Sequence, residues 1–138
     1  MVGLDSSIQD LMRGKNFAFV ATVNPDGWPH VTPTWVDTDG QHVLISTALG
    51  TIKQRNLKRD PRVTLVVVDQ TNPYKAFIIR GRVIDQITGS NAEAHIDALA
   101  KRYMGLDVFP DREVAAQQVV FKIEPVRVNP LGPTKARR

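Results

Sequence analysis

The sequence predicts a mainly β fold, a small barrel of six antiparallel strands with two or three flanking helices. Two observations carry this. Six stretches are rich in Val, Ile, Phe and Thr, the residues that suit a pleated surface, and are set off by turn or loop residues or a Pro. Helical periodicity is confined to three short segments. A sheet of many short strands usually closes on itself, because closure removes exposed edges.

Residues 4–14 read as a helix, with Leu4, Ile8, Leu11 and Met12 on one face and Asp5 or Ser6 as cap. "FAFVATV" (17–23), "HVTPTWV" (30–36) and "QHVLIST" (41–47) read as three strands. "NPDG" and "DTDG" between them are turn chemistry, and tight turns imply an antiparallel meander. Pro33 cannot donate to a ladder, so its strand lies at an edge or is bulged there. Residues 51–60 form a short helix ended by Pro61. "RVTLVVVD" (62–69) is apolar on both sides and hence central. The long strand 74–87 contains Gly81, which marks a bend or bulge. A helix over 88–105, capped by Ser90 or Asn91, shows Ile96, Leu99, Ala100 and Tyr103 on one face. Residues 117–129 are the last strand. The chain thus reads as one domain, 1–138, with 130–138 a flexible basic tail.

The formal charge is +4, and Lys135, Arg137 and Arg138 of the tail supply three of those charges. The body is therefore near neutral. Its cations concentrate at Lys53, Arg55, Lys58, Arg59 and Arg62, whereas a nucleic-acid binder spreads them over a face. No apolar run is long enough to cross a membrane, and the N-terminus lacks a signal pattern, so a cytoplasmic protein is expected. There is no cysteine. His30, His42 and His95 show no metal-ligand spacing, and His95 is expected to face solvent on its helix. Trp35 lies on a strand where it could stack on a ligand or be buried.

On a helix over 51–60, Ile52 and Leu57 define the inward side and Lys53 and Asn56 fall between them. Arg55, Lys58 and Arg59 point away. An inward Lys53 either snorkels to the surface or needs an anion, since an unpaired buried charge is costly. It also stands in the first helical turn, where the macrodipole disfavours a cation. Backbone N–H groups from Thr51 to Lys53 and the hydroxyls of Ser46, Thr47 and Thr51 would complete a cradle for an anion. The GxxxxGK[ST] phosphate loop is absent.

The run "TIKQRNLKRDPRV", after a strand ending in small and hydroxyl residues, resembles the pyridoxamine 5′-phosphate oxidase-like family of split β-barrel flavoproteins. "FVATVNPDGWPHVTPTWV" is similar to that family's opening hairpin. The likeness covers about residues 8–85 and is nearest to the branch that uses the deazaflavin coenzyme F420. It implies a six-stranded antiparallel Greek-key split β-barrel of the FMN-binding type, and a homodimer with the cofactor at the subunit interface. It implies that His30, Thr32, Pro33 and Thr34 line the ring, followed by Ser46, Thr47 and Ala48. Thr51, Lys53, Arg55 and Asn56 would meet the phosphate and the start of the tail. Tyr74 and Ala76 would reach over from the partner chain. The implied reaction is hydride transfer from the reduced deazaflavin to an unsaturated small molecule, such as an enone, a quinone or a tetrapyrrole like biliverdin. FMN on the same barrel, or non-catalytic flavin or haem binding, are the alternatives. No residue is singled out as a catalyst. The chain ends "PVRVNPLGPTKARR", without the C-terminal Arg-rich motif that grips pyridoxamine phosphate, so that substrate is not implied.

Overall fold

The computed structural model describes residues 2–131; the predicted basic tail lies, beyond Leu131, outside the described residues. The elements in chain order are α1 (Ser6–Arg13), β1 (Phe17–Val23), β2 (Pro29–Trp35), β3 (Asp37–Thr38), β4 (Val43–Ala48), α2 (Ile52–Arg59), β5 (Arg62–Val68), β6 (Ala76–Ile87), α3 (Ser90–Met104), α4 (Arg112–Ala116) and β7 (Gln118–Pro130). The strands form one antiparallel sheet in the order β2-β1-β5-β6-β7-β4-β3. Its two edge strands, β2 and β3, are consecutive in the chain, with only Val36 between them. The sheet must therefore curl until its ends approach each other, which makes a mainly β half-barrel with helices on its flanks.

Seven strands are present rather than six. The extra one, β3, occupies the first half of the predicted turn 37–40 and pairs with β4 through Asp37–Leu44 and Thr38–Val43. The expected three-strand meander does not form. β1 pairs with β2, but β4 turns away to pair with β7, Ala48 lying opposite Gln118. Pro33 explains part of this: it has no N–H to offer a further strand, and β2 ends the sheet there with its register to β1 unbroken.

The core lies inside the curl. Ala18, Val20, Val43, Ile45, Leu65, Ile79, Phe121 and Ile123 are fully buried, each large side chain contributing about 1.5–3 kcal/mol. Ile8, Leu11 and Met12 of α1 join that cluster, and Asp5 caps α1 by accepting from the Ile8 N–H at 3.1 Å. β5 is central, but only Val63, Leu65 and Val67 are fully buried; on its other side Arg62 and Thr64 are exposed and Val66 and Val68 half-buried. Gly81 sits where the β6–β7 register shifts, and a Cβ there would meet Ile123 at 2.4 Å. α3 is preceded by Gly89 and has no side-chain cap, contrary to the expected Ser90 or Asn91. Among the described residues no helix is long and apolar enough to cross a membrane.

Candidate functional site

β4 runs into α2 through Leu49 and Gly50, and Gly50 takes φ +90°, a conformation open to glycine. The turn is tied by Thr51, whose N–H and hydroxyl both donate to the Ala48 carbonyl at 3.3 and 3.0 Å. Thr51 also caps α2 by accepting from the Gln54 N–H at 3.2 Å. The amides of Ile52 and Lys53 follow in the first turn, where no intrahelical acceptor exists.

Lys53 is 7% exposed. It does not snorkel. Its Nζ donates to the Thr32 hydroxyl at 3.3 Å, and no carboxylate pairs with it among the described residues. Burial pushes its ammonium below the usual lysine range. The predicted inward arc is corrected at two positions. Ile52 is 46% exposed, and Gln54 is buried in its place, with Oε1 accepting from the Gly50 N–H at 3.0 Å. Asn56 is buried as expected, but its side chain is already engaged. Its Nδ2 donates to Thr22 at 3.0 Å and to Asn24 at 2.9 Å. Arg59 bends back to the Val23 carbonyl and to Asn56, whereas Arg55 and Lys58 remain exposed.

A cleft of about 370 Å³ opens where β2 faces β4. Pro33, Thr34, Ser46, Thr47 and Ala48, all singled out from the sequence, line it together. Phe17, Trp35, Ile96, Leu99, Phe109, Val114 and Gln118 supply the remaining wall and were not predicted as site residues, although Trp35 was weighed. Trp35 stacks on Tyr103, their centroids 4.9 Å apart, and meets Phe109 edge-on. His30 lies on the same strand as Thr32 and Thr34, and its Nδ1 is buried without a hydrogen-bond partner.

Tyr74 and Ala76 are not brought to this cleft within one chain. Ala76, Val68, Phe17 and Trp35 are successive cross-strand partners, so Ala76 lies three strands from Trp35, about 14 Å away. Tyr74 is 76% exposed and Ala76 is buried.

The α3 wall is held by a polar cluster. Asp37 accepts from His95 Nε2 at 3.1 Å and from Arg102 at 2.8 Å. Arg102 also donates to the carbonyls of Met12 and Val36. The Tyr103 hydroxyl donates to the Asn16 carbonyl at 2.5 Å. Burial alone would raise the Asp37 pKa, but the hydrogen bonds from His95 and Arg102 outweigh it and hold the carboxyl at about 2. His95 thus faces Asp37 rather than solvent.

A curled antiparallel half-barrel with helices on its flanks places the chain in the class of small split β-barrels. The sequence profile described as pyridoxamine 5′-phosphate oxidase matches residues 4–132, and the chain belongs to that family. Among solved structures, an F420 reductase is 28% identical, with 91% of this chain and 98% of that one covered, at a TM-score of 0.79. A conserved hypothetical protein from Mycobacterium tuberculosis is 23% identical over 93% and 84% of the two chains, at a TM-score of 0.72. HupZ from Group A Streptococcus shares the fold at 17% identity over 91% and 97% of the chains, at a TM-score of 0.63. No curated protein matches the chain.

Proposed function

We propose that this protein is an F420-dependent oxidoreductase. One observation carries the reading: Lys53 is buried with a neutral hydroxyl as its partner. An ammonium in that setting, beside the free amides of a helix start, suits a phosphate. The phosphate end of the cofactor would lie on Lys53, Thr32 and the first turn of α2. Its ring would lie along His30, Pro33 and Thr34 on one side and Ser46, Thr47 and Ala48 on the other. His30, whose buried Nδ1 has no hydrogen-bond partner, stands on the same strand as Thr32 and Thr34. Likeness to an F420 reductase supports the choice of cofactor. A reduced deazaflavin, when bound, supplies hydride to an unsaturated small molecule, while the chain orients the partners and excludes water.

FMN also carries one phosphate and fits Lys53 equally well. What favours F420 is the pair of exposed cations, Arg55 and Lys58, beyond the cradle, where an anionic tail would pass. A second copy of the chain completes the site in this reading. The outer face of β1 and β2 exposes Phe17, Phe19 and Val31, at 40%, 45% and 57%, on adjacent strands. Such a patch suits an interface. Titration of the purified protein with oxidised F420 and, separately, FMN, followed by cofactor fluorescence, tests the proposal. Tight binding of F420 with weak binding of FMN is expected. Preference for FMN, or binding of neither, overturns it.

A further inference from the structure

We infer that the outer face of β5, β6 and β7 carries a second anion site, for a small compound bearing two phosphate groups, separate from the Lys53 cradle. Arg62 is the cross-strand partner of Arg82, and Arg80 is the partner of Arg127. Such partners share a face, and like charges directly opposite each other destabilise a sheet. Val63, Ile79 and Gly81 are buried at intervening positions, so the four arginines point outward, and all are exposed. Asp60 accepts from Arg62, from Nε at 3.0 Å and Nη2 at 2.7 Å. The guanidiniums of Arg80, Arg82 and Arg127 have no ion pair or hydrogen bond among the described residues. Glu124 is the cross-strand partner of Arg82 but forms no ion pair with it. The fold therefore carries two like-charge pairs with too few acids to balance them.

Two hollows open along these arginines. One, of about 310 Å³, is lined by Thr64, Ile78, Arg80, Arg127 and Asn129. Its polar groups are two guanidiniums, a hydroxyl and an amide, with no carboxylate among them, and that donor set suits an oxyanion. The other, of about 440 Å³, has Arg62, Arg80 and Arg82 on one side and Ala21, Val23 and Pro29 on the other. Thr64 and Arg80 line both, so the hollows adjoin. Arg80 and Arg82 are two residues apart on β6, which sets the two arginine pairs about 7 Å apart. A planar guanidinium fork matches a phosphate. One phosphate on Arg80 and Arg127, and a second on Arg62 and Arg82, would neutralise both pairs at once. The carbon body between them would lie on the apolar wall. Neither hollow shares a lining residue with the β2–β4 cleft, and Lys53 lines neither.

Calorimetric titration at constant ionic strength tests this, with fructose 1,6-bisphosphate and fructose 6-phosphate as probes. The protein carries Lys53→Met, so that the cradle is disabled. The bisphosphate should bind about tenfold more tightly or better, since it alone can use both arginine pairs. Arg127→Gln in the same background should bring the two probes to within about threefold of each other. Arg80→Gln, which serves both hollows, should weaken the bisphosphate by about tenfold or more. It should also raise the melting temperature of the ligand-free protein, because a like-charge pair is gone; an arginine with a merely structural role would lower it. Both positions are exposed, so the variants keep the fold. No saturable binding of the bisphosphate, equal affinities for the two probes, or undiminished binding in Arg80→Gln would each overturn the inference. Binding to the unsubstituted protein that Lys53→Met abolishes would assign the phosphate to the cradle and overturn it equally. Because the readout needs no F420, failure of the cofactor titration and failure of this site are separate results.

Discussion

Two regions that flank the end of β4, the start of α2 and the cleft walled by α3, solve opposite problems. At the α2 end a cation is buried, at a cost, beside unspent backbone donors. At the α3 end no lining side chain is ionisable, and Ser46 and Thr47 have already given their hydrogens to Gln118 and Thr51. One end is under-satisfied by its own chain; the other has only the Thr34 hydroxyl unpartnered among the described residues. The contrast teaches that an open polar balance, rather than a cavity alone, marks where a protein expects an anion.

Replacing Lys53 tests the first end most severely. Lys53→Met should lower affinity for a phosphate-bearing cofactor by about ten- to hundredfold, the worth of one charge-assisted hydrogen bond. It should also raise the melting temperature of the cofactor-free protein, by about 0.5–2 kcal/mol of stability. The pH dependence follows from the lowered pKa. Between that value and the ordinary 10.5, the unfolded chain binds more protons than the native one, so stability rises with pH through the window. Lys53→Met should remove that rise. Unchanged affinity would leave the two ends indistinguishable.

The second end depends on α3 being pinned. Asp37→Asn should cost about 2 kcal/mol, less than the 3–5 expected for a fully buried pair, measured by urea unfolding. With its pKa held at about 2 against an ordinary 3.8, Asp37 contributes stability above about pH 4, and this is lost as pH falls toward 2. The variant should change the fluorescence of Trp35, which stacks on Tyr103 of α3, while sparing phosphate affinity. Loss at both ends together would mean that they are one cooperative unit.

Lys58→Glu and Arg55→Glu should produce the smallest effects. Stability should stay within about 0.5 kcal/mol. F420 with a long tail should weaken more than FMN. Equal weakening of the two would count against contact with the tail.

Much of this was legible in the sequence. Inward Lys53, Asn56 and Leu57 follow from helical periodicity, and Gly81 announced its bulge. Ile52 was misjudged because position on a helical wheel says nothing about where the neighbouring hairpin ends, and Gln54 earned burial by bonding the Gly50 amide instead. Ile96 and Leu99 were legible as an apolar helix face but not as a cleft wall, because the contacts that close the cleft are non-local: Gln118 of β7 meets Ser46 from 72 residues away. His95 was misplaced for the same reason, since its partner Asp37 belongs to a two-residue strand that composition cannot distinguish from a turn.

The pairing of β4 with β7 also has a consequence for how the molecule is made. Residues 43–48 must wait for residues 118–123 before the wall carrying Ser46 and Thr47 has a neighbour. During synthesis β1 and β2 can zip together early, but the cleft cannot exist until the final strand has been translated. Such non-local pairing slows folding and leaves β4 exposed meanwhile. The β4 side of the candidate site is therefore the last part of the sheet to mature, and a chain cut before Gln118 would carry every predicted cofactor contact yet leave Ser46, Thr47 and Ala48 without their neighbouring strand.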